Sequence, residues 1–110
     1  MKIVAKNRRA GYDYEIDLKI EAGVILTGQE AKSCRLGHVN LAGSYVSFLG
    51  GKPILRSAKI SPYSHASGLE NYDPGRDRKL LLKKSESAKL QSALDEQGVT
   101  IIPLEVRAGK

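Results

Sequence analysis

Aromatic and sulfur-containing side chains are scarce in this sequence of 110 residues, which has no tryptophan, one phenylalanine, five tyrosines and one cysteine. The lone Cys34 excludes an internal disulfide framework and any metal site built from several cysteines, and it fits a reducing compartment. Aliphatic residues must therefore build the core. No apolar run is long enough for a signal peptide or a membrane-spanning helix, so we expect a cytoplasmic protein without a membrane partner.

Acidic residues are absent between Leu36 and Leu69, and the whole chain carries a formal net charge of +6. A basic balance of this kind favours a polyanionic partner, with nucleic acid ahead of an anionic membrane. The length and an apolar content of 41% indicate one folded domain, residues 1–110, that closes a single modest core.

Apolar and charged residues alternate from Tyr12 to Ile20, which predicts a half-buried strand that resumes at Val24–Leu26. The preceding residues 1–11 are interpreted as a basic N-terminal arm. Further strands are predicted at Ser44–Leu49, Ile54–Ile60, Arg78–Leu82 and Val99–Val106. Gly50 and Gly51 predict a hairpin turn between the first two of these strands, Ser44–Leu49 and Ile54–Ile60.

Two helices carry start and stop signals. Thr27 and Glu30 have the spacing of a capping box, which predicts a short helix through Leu36 with Gly37 as its stop. Ser85 is the predicted N-cap of a second helix that ends at Gln97. The element order predicts a mainly β fold, a small barrel of the oligonucleotide-binding (OB) type with short helices, although periodicity alone leaves a β-sandwich open.

Residues suited to catalysis are few and show no known spacing. His38 and His65 match no metal-ligand pattern, and Cys34 is predicted to lie on the inner face of a helix, where thiols are usually inert. A catalytic pair of Cys34 with a histidine has no local signature, and no phosphate-cradling glycine loop is present. We therefore expect no catalytic residue, no metal and no cofactor, and a binding protein rather than an enzyme.

The segment from Asp73 to Lys79 combines a turn with clustered charge. Pro74 and Gly75 favour the turn, and Arg76 and Arg78 follow two residues apart, on one side of an extended chain. Such a guanidinium pair can fork onto phosphate oxygens, or the neighbouring aspartates can neutralise it in a surface cluster. Three leucines follow directly and anchor the cations to the core, which favours binding.

Other cations extend this candidate surface. They include the cations of the N-terminal arm, Lys6 to Arg9, for which a frayed, solvated terminus is the alternative interpretation. Few aromatics are available for base stacking, so recognition of RNA shape and phosphate is expected. The basic residues predicted to contact RNA are Lys6, Arg8, Arg9, Lys32, Arg35, Arg76, Arg78 and Lys79.

Four motifs in order, Leu26–Arg35, Asn40–Val46, Ile60–Tyr63 and Asp73–Leu82, resemble the signatures of the small protein B (SmpB) family, the bacterial partners of transfer-messenger RNA (tmRNA). The resemblance runs from about Lys6 to Val106. It implies an OB-type barrel with three helices, the third within Ser61–Gly68.

In function, the resemblance implies a non-enzymatic partner that binds the tRNA-like domain of tmRNA and supports its delivery to stalled ribosomes. Alanyl-tRNA synthetase and elongation factor Tu would be indirect partners. By position, the RNA contacts of the family correspond to Asn7, Glu21 and Leu81. Leu81 is expected to face RNA while Leu80 and Leu82 face the core.

The chain departs from the family pattern at two places. Gly11-Tyr12 stands where the family usually has a basic residue and a histidine, and the chain stops at Lys110, where family members continue with a basic tail. We therefore expect RNA binding without the tail's contribution. A general nucleic-acid-binding barrel and a module that docks on acidic proteins remain alternatives.

Overall fold

The structure, a computed structural model, describes residues 2–13, 15–16, 18–63, 71–96 and 98–109. It confirms a mainly β fold with three helices. The strands are β1 (Lys2–Lys6), β2 (Gly23–Val24), β3 (Val39–Asn40), β4 (Tyr45–Leu49), β5 (Lys52–Arg56), β6 (Lys59–Ile60), β7 (Arg78–Leu81) and β8 (Glu105–Ala108). The helices are α1 (Ala10–Asp13), α2 (Gly28–Arg35) and α3 (Lys84–Leu94).

Within the described ranges, all strand pairs are antiparallel and fall into three sheets. The largest has the order β2-β7-β5-β4, while β1 pairs with β8 and β3 pairs with β6. Gly50 and Gly51 join β4 to β5 with φ angles of 59° and 79°. Positive φ at both central residues is what a tight hairpin turn requires, so the predicted hairpin is confirmed.

One apolar cluster lies inside the sheets. Its buried members are Leu41, Val46, Leu55 and Ala58, and half-buried Val39, Leu80, Ile101 and Val106 pack against them. The Val46 amide also donates to the Ile101 carbonyl at 2.8 Å, which ties β4 to the irregular segment before β8. Aliphatic side chains thus build the core, as expected from the shortage of aromatics.

The strand predicted from Tyr12 to Ile20 is wrong for the part of that segment that the structure describes. Tyr12 lies in α1 and is 90% exposed, and residues 15–16 and 18–20 have no regular structure. Ile16 and Leu18 are exposed as well. The alternation shows which side chains share a face, but a strand also needs a partner backbone within hydrogen-bonding distance.

Residues 2–6 form strand β1, which sequence analysis did not predict. The register with β8 runs from Lys2 opposite Ala108 to Lys6 opposite Glu105, with an irregularity between Ile3 and Ala5. This pairing also shifts the last strand from its predicted position at Val99–Val106. Pro103 has no amide hydrogen to donate, and regular pairing begins only beyond it.

The capping-box prediction for α2 is confirmed. Thr27 Oγ1 accepts from the Glu30 amide at 3.2 Å, and Glu30 Oε1 accepts from the Thr27 amide at 3.0 Å. Leu36 is the C-cap, and Gly37 follows with a φ of 79°. A Cβ at Gly37 would lie 3.2 Å from the Val4 carbonyl oxygen, so glycine allows β1 to approach the end of the helix.

The second predicted helix begins and ends earlier than expected. Lys83, not Ser85, is the N-cap of α3, and the Glu86 carboxylate accepts from the Lys83 amide at 3.3 Å. The C-cap is Asp95, so the helix ends before the predicted Gln97, which lies outside the described residues.

The predicted strand Ile54–Ile60 is divided into β5 and β6 at Ser57, whose φ of 64° is incompatible with extended backbone. The helix that the family resemblance implies within Ser61–Gly68 falls largely on residues 64–70, outside the described ranges, and residues 61–63 are not helical. Across the described ranges, no helix has the length and hydropathy needed to cross a membrane.

Candidate nucleic-acid interface

Arg78 is a buried structural residue, with a side chain that is 0% exposed. Its Nη1 donates to the carbonyl oxygens of Ala58 (2.8 Å) and Arg76 (3.0 Å), and its Nη2 donates to the Pro74 carbonyl (3.0 Å). These bonds hold the turn before β7 against the segment between β5 and β6. Arg78 was predicted to contact RNA, but in this position its guanidinium has no surface to offer a phosphate.

The carboxylate that pairs with Arg78 belongs to Glu30 of α2. Arg78 donates to Glu30 Oε2 from Nη2 (2.6 Å) and Nε (3.0 Å). Arg76 forms a second fork, from Nε to Oε2 (3.0 Å) and from Nη2 to Oε1. The Tyr72 hydroxyl lies 3.3 Å from Oε2. We call Glu30, Tyr72, Arg76 and Arg78 the Glu30 network. It joins α2 to β7.

The Glu30 network keeps its carboxylate ionised. Burial by itself would raise the pKa of Glu30, but hydrogen bonds from Arg76, the Thr27 amide and Arg78 outweigh that effect and lower the pKa from 4.5 to about 2. A buried charge is tolerated only when it is paired and hydrogen-bonded, and this carboxylate is both.

The aspartates that flank the arginines have other partners. Asp77 forms an ion pair with Arg56 at 2.9 Å, and Asp73 accepts from the Gly75 amide at 3.0 Å. The alternative in which these aspartates neutralise Arg76 and Arg78 is therefore wrong, because Glu30 is the carboxylate that pairs with both arginines.

Strand β7 shows strict alternation. Arg78 is buried and Leu80 packs on the core, whereas Lys79 and Leu81 point outward and Leu81 is 59% exposed. Leu81 lies opposite Gly23 in the register, and a Cβ at Gly23 would lie 3.3 Å from the Leu81 Cβ. Of the predicted RNA-binding residues, Lys79 and Leu81 therefore share the outward face of β7, and exposed Glu21 lies in the segment that leads into β2, two residues before Gly23.

Residues 6–9 surround a shallow pocket of about 210 Å³ at the end of β1. The Asn7 backbone amide donates to the Leu104 carbonyl at 2.8 Å, and its side-chain amide donates to the Pro103 carbonyl at 3.1 Å. This segment is therefore attached to the fold, unlike a frayed terminus. The pocket is lined by Lys6, Asn7, Arg8, Arg9, Asn40 and Ala42.

Lys32 and Arg35 are exposed on α2, as predicted. The Lys32 ammonium lies 5.4 Å from the centroid of the Tyr63 ring, a cation–π contact that orients the lysine. The only acidic residue of α2 is Glu30, which is buried, so the exposed face of this helix is cationic.

The residues considered for catalysis are not arranged for it in the described ranges. Cys34 is buried, and its burial raises the pKa of the thiol, which disfavours a thiolate nucleophile. His38 is exposed, and His65 lies outside the described residues. Within those ranges, no group of histidine, cysteine or acidic side chains is placed to hold a metal ion.

Sequence reasoning missed two members of the Glu30 network as tertiary partners. Glu30 was interpreted only through its local capping role, and Tyr72 was not singled out. Tyr72 donates to the Ile60 carbonyl at 2.8 Å and accepts from Arg78 Nη2 at 3.3 Å. The sequence did contain a signal for this pairing. The predicted helix α2 has a single acidic residue, and the distant turn has two arginines, two residues apart, that need a carboxylate partner.

Comparison with known proteins gives consistent matches. The model of the SmpB protein family matches residues 4–110. An SsrA-binding protein from Caldicellulosiruptor saccharolyticus is 47% identical over 106 residues, which cover 96% of this chain and 66% of that protein. One from Prochlorococcus marinus is 48% identical over 105 residues, covering 96% and 64%. The chain thus spans slightly less than two thirds of the length of these relatives.

A solved structure is similar in fold as well as in sequence. It is described as "tmRNA-SmpB: a journey to the center of the bacterial ribosome" and aligns with a TM-score of 0.74 at 44% identity. The alignment covers 92% of this chain and 70% of that chain. The coverage of 92% indicates that the similarity extends over nearly all of the fold described above.

The two arginines of the Glu30 network should differ in their contribution to stability. Arg78→Ala removes a fully buried partner and should lower the free energy of unfolding by about 3 kcal/mol or more. Arg76→Ala removes a side chain that is 37% exposed and should cost about 1 kcal/mol. Urea unfolding of both variants measures the difference. Equal losses would contradict the assignment of Arg78 as the structural partner.

Stability should also fall in acid because of Glu30. Its pKa is lower in the folded protein than in the unfolded chain, so its contribution is complete above about pH 4.5 and is lost as the pH falls toward 2. The lowered pKa corresponds to roughly 3 kcal/mol. Wild type should therefore exceed Glu30→Gln in stability at pH 5, and the gap should narrow steadily from pH 4.5 down to pH 2.5, with the remainder lost only as the pH falls through about 2. A gap that stays constant over this range would contradict the lowered pKa.

Proposed function

The chain belongs to the SmpB protein family, and we propose that it is a single RNA-binding domain, residues 1–110, that binds the tRNA-like domain of tmRNA. It acts in the cytoplasm and supports delivery of tmRNA to stalled ribosomes during trans-translation, without turning over a substrate. Alanyl-tRNA synthetase and elongation factor Tu act on the same RNA and are indirect partners.

The observation that carries this proposal is the orientation of β7. The Glu30 network fixes the strand from the inside, so Lys79 and Leu81 are held outward on one face of β7. A cation next to an exposed leucine suits a structured RNA, whose phosphates pair with the cation and whose exposed base or sugar packs against the apolar side chain.

The remaining contacts are supplied by the cations of two neighbouring elements. Lys6, Arg8 and Arg9 surround the pocket at the end of β1, where Asn7 offers an amide side chain, and Lys32 and Arg35 lie on the exposed face of α2. Phosphate contacts of this kind position an RNA and make its binding depend on salt. Arg78 contributes from the interior, by fixing β7.

Binding to the isolated tRNA-like domain of tmRNA across a salt series, with a tRNA of matched length as competitor, tests the proposal. We expect a preference for the tmRNA domain that persists as salt rises, because shape-specific contacts are less salt-dependent than phosphate attraction. Equal binding to both RNAs that collapses with salt would instead support a general nucleic-acid-binding barrel. Absence of binding at low salt would contradict both.

Leu81 provides a sharper prediction. Leu81→Ala should weaken binding to the tRNA-like domain about tenfold and leave folding intact, because a 59% exposed side chain contributes little to the core. Leu49→Ala is the matched control, since Leu49 is 64% exposed on β4, an edge strand that β5 separates from β7. Similar affinities for the two variants would show that Leu81 is not an RNA contact.

A further inference from the structure

Arg76 lies at the surface end of the Glu30 network and is held along one edge of its guanidinium. Nε and Nη2 form the fork onto the Glu30 carboxylate, and Nη1 donates to the Asp77 carbonyl at 3.1 Å. The side chain nevertheless remains 37% exposed. The arginine is therefore fixed in direction while part of it faces solvent.

The outer edge of this guanidinium retains hydrogen-bonding capacity. A guanidinium carries five N–H donors, two of them on each terminal nitrogen. Among the described residues, one N–H of Nη1 and one of Nη2 have no acceptor. Paired N–H groups on adjacent nitrogens match the spacing of two phosphate oxygens. Arg78 differs, because each of its three nitrogens donates to the protein and its side chain is fully buried.

Arg76 shares its carboxylate with Arg78. One carboxylate, Glu30, faces two guanidinium groups, and Asp77 is paired with Arg56. Asp73 is engaged by the Gly75 amide. The pKa of Arg76 is raised first by its hydrogen bond to Glu30 and least by the charge of Asp73. An oriented, half-exposed guanidinium that shares its carboxylate with a second arginine is suited to an anion from outside.

We propose that the outer edge of Arg76 binds a phosphate of the RNA ligand and that Glu30 and Arg78 are positioning residues for this contact. The inference rests on the proposed function for the identity of the RNA. Because the fork onto Glu30 already restrains the Arg76 side chain, little conformational entropy is lost when a phosphate binds. The contact lies on the turn that leads directly into β7, three residues before Lys79.

Two arginine variants test the contact. Arg76→Gln and Arg56→Gln each remove one cation from an ion pair, and the two side chains are 37% and 30% exposed. Affinity for the tRNA-like domain is measured across a salt series for the whole chain, with circular dichroism and thermal melting as checks on folding. Arg76→Gln should weaken binding about tenfold and reduce the slope of log K against log salt by about 1. Arg56→Gln should change the slope by less than half as much.

A third variant separates a phosphate contact from general electrostatics. Arg76→Lys keeps the charge and one hydrogen bond to Glu30 but loses the paired donors. We expect it to restore the salt slope and only part of the affinity. Full recovery of affinity would overturn the paired-donor contact, as would equal effects of Arg76→Gln and Arg56→Gln.

The outcomes distinguish this inference from the proposed function. If wild type prefers the tRNA-like domain and Arg76→Gln binds it with unchanged affinity and slope, the Arg76 contact is wrong and the function stands. If wild type binds tRNA equally well but Arg76→Gln lowers both quantities, the contact stands and the tmRNA assignment is wrong. Loss of all RNA binding by the folded wild type would overturn both.

Discussion

The buried carboxylate of Glu30 is the interaction on which the rest of the structure depends. It joins α2 to the turn at residues 72–77 and to β7, segments more than 40 residues apart in the chain. Removing a carboxylate from water is costly, and the hydrogen bonds from Arg76, Arg78 and the Thr27 amide offset that cost. Glu30 thus belongs both to a local capping box and to the tertiary contacts between α2 and β7.

This arrangement determines how charge is distributed between the interior and the surface. Glu30, the only acid of α2, is buried, and Asp77 is paired with Arg56. Neither carboxylate therefore neutralises the exposed cations Lys32, Arg35 and Lys79. Part of the positive net charge of the chain is therefore concentrated in local cationic patches on the surface. An RNA-binding protein needs such surfaces, because phosphate attraction supplies much of its affinity.

Local signals in the sequence predicted local structure well. The Thr27–Glu30 capping box and the Gly50-Gly51 turn need only neighbouring residues, and the structure confirms both. The strand at Arg78 is also confirmed, and it pairs with β2 and β5. Strand β1 was missed because its partner, β8, lies about a hundred residues away. The alternating segment Tyr12–Ile20 failed for the converse reason, since its described residues have the pattern of a strand but no partner.

By itself, the sequence determined the charge, the aliphatic core, the capping box of α2 and the family, because each is carried by residue types or their spacing. It also selected Arg76 and Arg78 as a pair, but it could not separate them. Only the tertiary structure decided that Arg78 is buried and fully bonded, whereas Arg76 keeps an edge toward solvent. The physical reason is that exposure and hydrogen-bond saturation depend on what packs against a side chain. In this protein the deciding partner, Glu30, comes from a distant helix.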